Sequence, residues 1–157
     1  MLFRSIMGSM INKVIIYTDG ACSGNPGYGG WGAYLLYEDN KKKISGYELS
    51  TTNNRMELRA AIEGLNALKR PCKVMLYTDS VYLKDGITKW IINWEKNNWK
   101  NANKKEVKNK DLWIKLLEAG KMHQIEWNWV KGHEGNEGNE IADKLATQAI
   151  LHAKINQ

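Results

Sequence analysis

A chain of 157 residues, 43% hydrophobic and 25% charged, has the length and balance of one globular domain with a buried core. Its apolar runs last only a few residues, too short for a helical membrane span or a signal peptide. Cys22 and Cys72 lack the paired spacing of a zinc site or disulfide scaffold, which points to free thiols and a cytoplasmic protein.

Residues 1–11 carry three methionines and one basic residue; they read as an extension, an upstream start or an expression remnant, with the domain over 12–152. Lys13-Val-Ile-Ile-Tyr-Thr-Asp19 is echoed by Lys73-Val-Met-Leu-Tyr-Thr-Asp79. Each copy is a short β-branched and aromatic run that predicts a buried strand with a carboxylate at its exit. Between them, residues 30–37 and 43–49 predict hairpin strands about the polar turn 38–41. Leu58, Ile62, Leu65 and Leu68 then repeat at helical spacing over 55–68, behind Thr and Asn capping candidates and ahead of Pro71. After Asp79 come short amphipathic pieces at 81–83 and 90–94, a polar stretch at 96–110, and a helix at 112–119. Ile125, Trp127 and Trp129 alternate as in a strand over 124–130. A Gly-rich loop, 132–138, leads into a last helix striped by Ile141, Leu145 and Ala149. This order predicts an α/β domain with a mixed sheet flanked by helices. Parallel pairing of the two echo strands would bring Asp19 and Asp79 out at one sheet edge, where open α/β sheets bind ligands.

The net charge is +6, and residues 84–110 supply most of it: eight lysines stand against Asp85, Glu95 and Glu106. Trp90, Trp94 and Trp99 are interleaved with lysines such as Lys96 and Lys100. Such a patch suits a polyanion with stackable bases, and equally a solvated face with tryptophans used for packing.

Two adjacent carboxylates repel, and a cation between them relieves the repulsion. Oxygen ligands without His or Cys favour Mg²⁺ or Mn²⁺ over zinc. Glu57, early in its helix, and Asp143, early in the last helix, are placed to join Asp19 and Asp79 around a pair of divalent ions. Spacing alone leaves other readings open. Glu57 also completes a capping box with Asn54, Asp143 also suits a helix macrodipole, and either strand-end Asp also suits a turn. His133, among glycines, is an exposed histidine or a proton shuttle to a leaving oxygen.

Five segments then occur in order: Tyr17-Thr-Asp-Gly-Ala-Cys-Ser-Gly-Asn-Pro-Gly27, Thr51-Thr-Asn-Asn-Arg-Met-Glu57-Leu, Tyr77-Thr-Asp79-Ser, Trp129-Val-Lys-Gly-His133 and Asn139-Glu-Ile-Ala-Asp143. Together they resemble the motifs of bacterial ribonuclease H type 1 over about residues 12–150. The resemblance implies a ribonuclease H-like fold with a five-stranded mixed sheet. It implies an endonuclease that cuts the RNA strand of RNA–DNA hybrids, leaving 5′-phosphate and 3′-hydroxyl ends, and that removes primers and R-loops. It implies two Mg²⁺ ions, with Mn²⁺ able to substitute, held by Asp19, Glu57, Asp79 and Asp143, and His133 assisting proton transfer or product release. It also implies contacts to the hybrid from Cys22, Asn25, Thr52, Asn53 and Asn54. Residues 84–110 resemble the family's basic protrusion, with Lys96 and Lys100 toward the hybrid and the tryptophans mainly its scaffold. A monomer is expected.

Two departures stand out. Val81 occupies a position where the family usually has Gln, and Glu134 and Glu137 make the His133 loop more acidic than is typical. The extra acids are expected to raise the His133 pKa. Two other classes compete, a binding module without catalysis and a DNA-cutting relative with a similar metal core. The full carboxylate set argues against the first, and the three asparagines with the His133 loop against the second.

Overall fold

The computed structural model describes residues 12–131 and 136–156; the stretch 1–11, expected to stand apart from the domain, lies outside the described residues. Three antiparallel strands open the fold: β1 (Asn12–Gly24), β2 (Gly27–Tyr37) and β3 (Asn40–Thr51). The last two are longer than the side-chain pattern predicts. Gly27 pairs with Gly24 on one side and Thr51 on the other, and Asn40 pairs with Tyr37. Ladder hydrogen bonds therefore hold residues whose side chains carry no strand signal.

The β2–β3 connection is only Glu38–Asp39, and Glu38 sits at φ 55°, a conformation that favours glycine. Glu38→Gly is expected to stabilise the fold by about 0.5–1 kcal/mol, the left-handed strain relieved less the added chain entropy. A urea midpoint that fails to rise would show the turn to be unstrained.

Helix α1 (Asn53–Asn66) follows directly from β3, and β4 (Cys72–Thr78) then returns parallel to β1. The echo segments pair residue for residue, Lys13 with Lys73 through Thr18 with Thr78. The pieces expected at 81–83 and 90–94 merge into one helical run. It comprises α2 (Val81–Asp85), a π-helical turn (Gly86–Trp90) and α3 (Ile91–Lys96). An irregular arm leads to α4 (Lys110–Gly120), then β5 (Gln124–Trp129) and α5 (Glu137–Ile155).

The sheet order is β3-β2-β1-β4-β5, with β5 parallel to β4. The main core lies on one face, where Val14, Ile16, Val74 and Leu76 meet Leu58, Ile62 and Leu65 of α1 and Leu112, Trp113 and Leu116 of α4. Helix α5 covers the opposite face along β1, β2 and β3. A Cβ on Gly32 would fall 2.5 Å from Leu145 Cβ and 2.7 Å from the Ala142 carbonyl oxygen, so glycine lets this helix rest on the strand. That contact fixes how far Asp143, one residue along, stands above β1.

Candidate active site

The expected carboxylate at a strand exit holds for Asp79, which follows the last residue of β4. It does not hold for Asp19, which lies inside β1 opposite Gly32, because pairing with β2 carries β1 on to Gly24. The parallel ladder nevertheless ends at Thr18 and Thr78, so both acids emerge at the same end of the β1–β4 pair.

Glu57 reaches them because residue 20 is glycine. A Cβ there would stand 2.4 Å from the Glu57 backbone nitrogen, so the first turn of α1 lies directly on β1. The alternative capping role for Glu57 is not the one adopted. Thr52 is the N-cap, its hydroxyl oxygen accepting from the Arg55 N–H at 3.3 Å, and the Glu57 side chain turns inward beside Asp19. One carboxylate oxygen from each of Asp19, Glu57 and Asp79 lies within 4.8 Å of the others. Asp143, from the second turn of α5, adds a carboxyl hydrogen-bonded to Asp19.

Burial pushes the Asp19 carboxyl up to about 8, with the Asp79 charge and then Asp143 adding to it. The Gly20 N–H, donating to Asp19 Oδ1 at 2.9 Å, opposes the rise. Glu57, 5% exposed, is raised well above the usual carboxylate range by burial and then by the Asp19 and Asp79 charges. Its Oε2 is buried without a hydrogen-bond partner. An orphaned buried oxygen among like charges fits a hard divalent cation, because only a cation or a proton satisfies it.

Around this cluster the proposed substrate residues gather on two adjoining connections. Asn25 is exposed in the β1–β2 turn, and Asn53 and Asn54 are exposed in the first turn of α1. The pairing of Gly27 with Thr51 sets those connections side by side. Cys22 helps to join them through its thiol, which donates to the Thr51 carbonyl at 3.3 Å. The Thr52 hydroxyl oxygen accepts at the cap, and a hydroxyl that accepts there can also donate to a further partner.

The basic arm is built on an aromatic cluster. Trp94 lies 5.7 Å from Trp90, 5.9 Å from Trp99 and 5.5 Å from the buried Trp113 between ring centroids, and Tyr82 packs on Trp90 and Trp113. The three tryptophans thus pack into one cluster with the buried Trp113, and Lys96 and Lys100 stand exposed beside it. The π-helical turn begins where Gly86 meets Trp113, and a Cβ on Gly86 would fall 2.0 Å from the indole. Gly86→Ala should loosen the arm, at a cost of about 1–3 kcal/mol from overpacking. Hybrid affinity measured against salt should fall with it, and unchanged affinity and stability would contradict this packing.

A clamp that local patterns did not reveal ties the arm to α1. Arg55 donates to both oxygens of Asp111, at 3.0 and 2.8 Å, and to Asn109 Oδ1 at 3.2 Å. Asn109 and Trp113 in turn both donate to the Tyr82 hydroxyl. Arg55 was visible only as part of a motif, because its partners lie more than fifty residues away. Val81 opens α2 and is 54% exposed, an apolar side chain facing solvent.

His133 and Glu134 lie outside the described residues. Glu137 and Gly138, expected in that loop, instead form the first turn of α5, because Asn136 caps it by accepting from the Asn139 N–H at 2.8 Å. The apolar cleft of about 310 Å³ lined by Val14, Leu35, Tyr37, Leu68 and Cys72 lies at the opposite end of β1 and β4 from the carboxylates.

The RNase H family model matches residues 11–151. Ribonuclease H of Francisella philomiragia is 62% identical over 139 residues, 88% of this chain and 91% of its own length. Ribonuclease H of Hydrogenovibrio crunogenus is 61% identical, covering 89% of this chain and 97% of its own. Among solved structures, LC9-RNase H1, a type 1 RNase H with the type 2 active-site motif, is 32% identical, with a TM-score of 0.83 over 91% of this chain and 74% of that one. LC11-RNase H1, solved in complex with RNA/DNA hybrid, is 26% identical, with a TM-score of 0.67 over 90% of this chain and 99% of that one. With the family model spanning nearly the whole domain and such identity across near-full-length relatives, the chain belongs to the ribonuclease H family.

Proposed function

We propose that this chain is an endonuclease hydrolysing the RNA strand of RNA–DNA hybrids to 5′-phosphate and 3′-hydroxyl ends. The observation that carries the reading is the Asp19–Glu57–Asp79 cluster, with its orphaned Glu57 oxygen, set beside exposed amides and a basic arm. The family membership and the hybrid bound to LC11-RNase H1 support the substrate class.

Asp19, Glu57, Asp79 and Asp143 would hold two Mg²⁺ ions, or Mn²⁺ in their place. When bound, such ions supply an activated water and charge stabilisation at the leaving oxygen. The chain's own residues do the rest. Lys96, Lys100 and their neighbours on the arm neutralise backbone phosphates, the largest part of affinity for a polyanion. Trp90, Trp94 and Trp99 hold those lysines in place. Asn25, Asn53 and Asn54 offer amides that donate and accept along the groove, where 2′-hydroxyls mark the RNA strand. The Thr52 hydroxyl donates to a phosphate, and Cys22 fixes the connection from which it does so. His133 carries a proton to the departing 3′-oxygen. The protein acts as a monomer in the cytoplasm, removing primers and R-loops; among the described residues no helix is long and apolar enough to cross a membrane.

A substrate panel tests this reading. With Mg²⁺, only the RNA of the hybrid should be cut, and matched RNA–RNA and DNA–DNA duplexes should stay intact. Binding without cutting would favour a catalytically silent module, and cutting of DNA–DNA a DNA-directed relative.

A further inference from the structure

We infer that Trp129 is a positioning residue for Asp79: its indole N–H fixes the main chain that presents this carboxylate, and Lys84 fixes the indole. The inference rests on the reading of the carboxylates as a metal site. Of the three clustered acids, Asp19 and Glu57 are held by regular structure and burial. Asp79 is not. It is half-buried and sits between the last residue of β4 and Ser80, the N-cap of α2.

The connection is secured on both sides of Asp79. Before it, the Thr78 carbonyl accepts from the Val130 N–H at 2.8 Å. After it, the Ser80 N–H donates to Thr78 Oγ1 at 3.1 Å, and the Ser80 hydroxyl oxygen accepts from the Leu83 N–H at 3.0 Å. The Asp79 carbonyl lies beyond the β4 ladder, and it accepts from Trp129 Nε1 at 3.1 Å. Trp129 is the last residue of β5 and pairs with Thr78, so the ring crosses from one strand end to the next.

Trp129 is 39% exposed, so its ring needs something to hold its orientation. Lys84 from α2 places its ammonium 4.9 Å from the ring centroid, within cation–π range. Residues from β5 and α2 thus converge on the backbone of one acidic residue. Groups that orient a ligand set the strength of a metal site almost as much as the ligands do.

Trp129→Phe keeps the ring and removes the N–H. The Val130–Thr78 hydrogen bond does not involve the indole, so the strand end should persist. Calorimetric titration of Mn²⁺ and of Mg²⁺ into metal-free protein should show roughly tenfold weaker binding in this variant. The KM for the hybrid and the metal-free Tm should stay at their wild-type values. Lys84→Met, which keeps the indole N–H, should weaken metal binding in the same direction by less.

Unchanged metal affinity in Trp129→Phe would overturn the inference. So would a loss matched by a lower metal-free Tm or a raised KM, since that would mark a general packing or substrate role. Should Trp129→Phe fail to fold, Lys84→Met decides alone, and wild-type metal affinity in it would overturn the inference. If the wild-type protein binds neither metal, the reading of the carboxylates falls first, which separates the two failures.

Discussion

Asp79→Asn should lower the rate of hybrid cleavage on the order of 10³-fold or more, while hybrid affinity stays within roughly twofold of wild type. The expectation follows from where the carboxylate stands. One oxygen of Asp79 lies within 4.8 Å of oxygens from Asp19 and Glu57, on a connection secured through the main chain at Asp79 and Ser80 and the Thr78 and Ser80 hydroxyls. Asparagine keeps the size and one acceptor oxygen but removes the charge that opposes a divalent cation. The proposed hybrid contacts, the groove-facing amides at 25, 53 and 54 and the phosphate-facing lysines of the arm, all remain in the variant. Single-turnover cleavage beside an equilibrium binding measurement separates the two effects. Near-normal turnover would remove Asp79 from the chemistry, and a parallel collapse of binding would make it a substrate contact.

The second large effect is on stability. The Asp19 carboxyl rises from an unfolded value near 3.8 to about 8, driven first by burial and then by Asp79 and Asp143. Because the folded value is the higher, the folded protein holds the extra proton between those limits. Metal-free stability should therefore fall as pH rises from about 4 to about 8. The raised Glu57 carboxyl acts in the same direction. Asp19→Asn removes the buried charge, so at pH 8 without metal the variant should melt on the order of 5 °C above wild type. The difference should shrink toward pH 5. Adding Mg²⁺ should raise the wild-type Tm strongly, because the cation binds only the folded cluster, and barely move the variant. A metal-free variant that melts at or below wild type at pH 8 would show that the carboxylates are not strained.

What the chain makes legible without coordinates depends on whether the cause is local. The echo between residues 13–19 and 73–79 is a local pattern, and its expected parallel pairing is found in register. Burial on one face of β1, β4 and α1 follows from apolar spacing, so the core was readable as well. Strand ends were less so. Asn40 and Thr51 enter β3 because β2 holds them by backbone hydrogen bonds, and no side chain announces it. The continuous helical run from 81 to 96 was hidden because its π-helical turn shifts the repeat and its packing is against Trp113, far along the chain.

The site divides in the same way. Asp19, Glu57 and Asp79 stood out as acids at the ends or starts of elements, and Gly20 explains why one helix turn meets the strand. The cap was ambiguous at the level of spacing, since Thr52, Asn53 and Asn54 all suit it; Thr52 takes the role. The Arg55–Asp111 clamp and the Trp129–Asp79 contact were invisible for a simpler reason. Each joins residues at least fifty positions apart through one hydrogen-bonding group, and such pairs leave no periodic trace.

The most direct measurement is single-turnover cleavage of a hybrid labelled on its RNA strand, first in EDTA and then after Mg²⁺ is added to the same sample. No cutting in EDTA, followed by RNA-strand cutting to 3′-hydroxyl products on addition of Mg²⁺, is the result expected from the carboxylate cluster. Cutting that proceeds undiminished in EDTA, or a hybrid left intact in both Mg²⁺ and Mn²⁺, would contradict it.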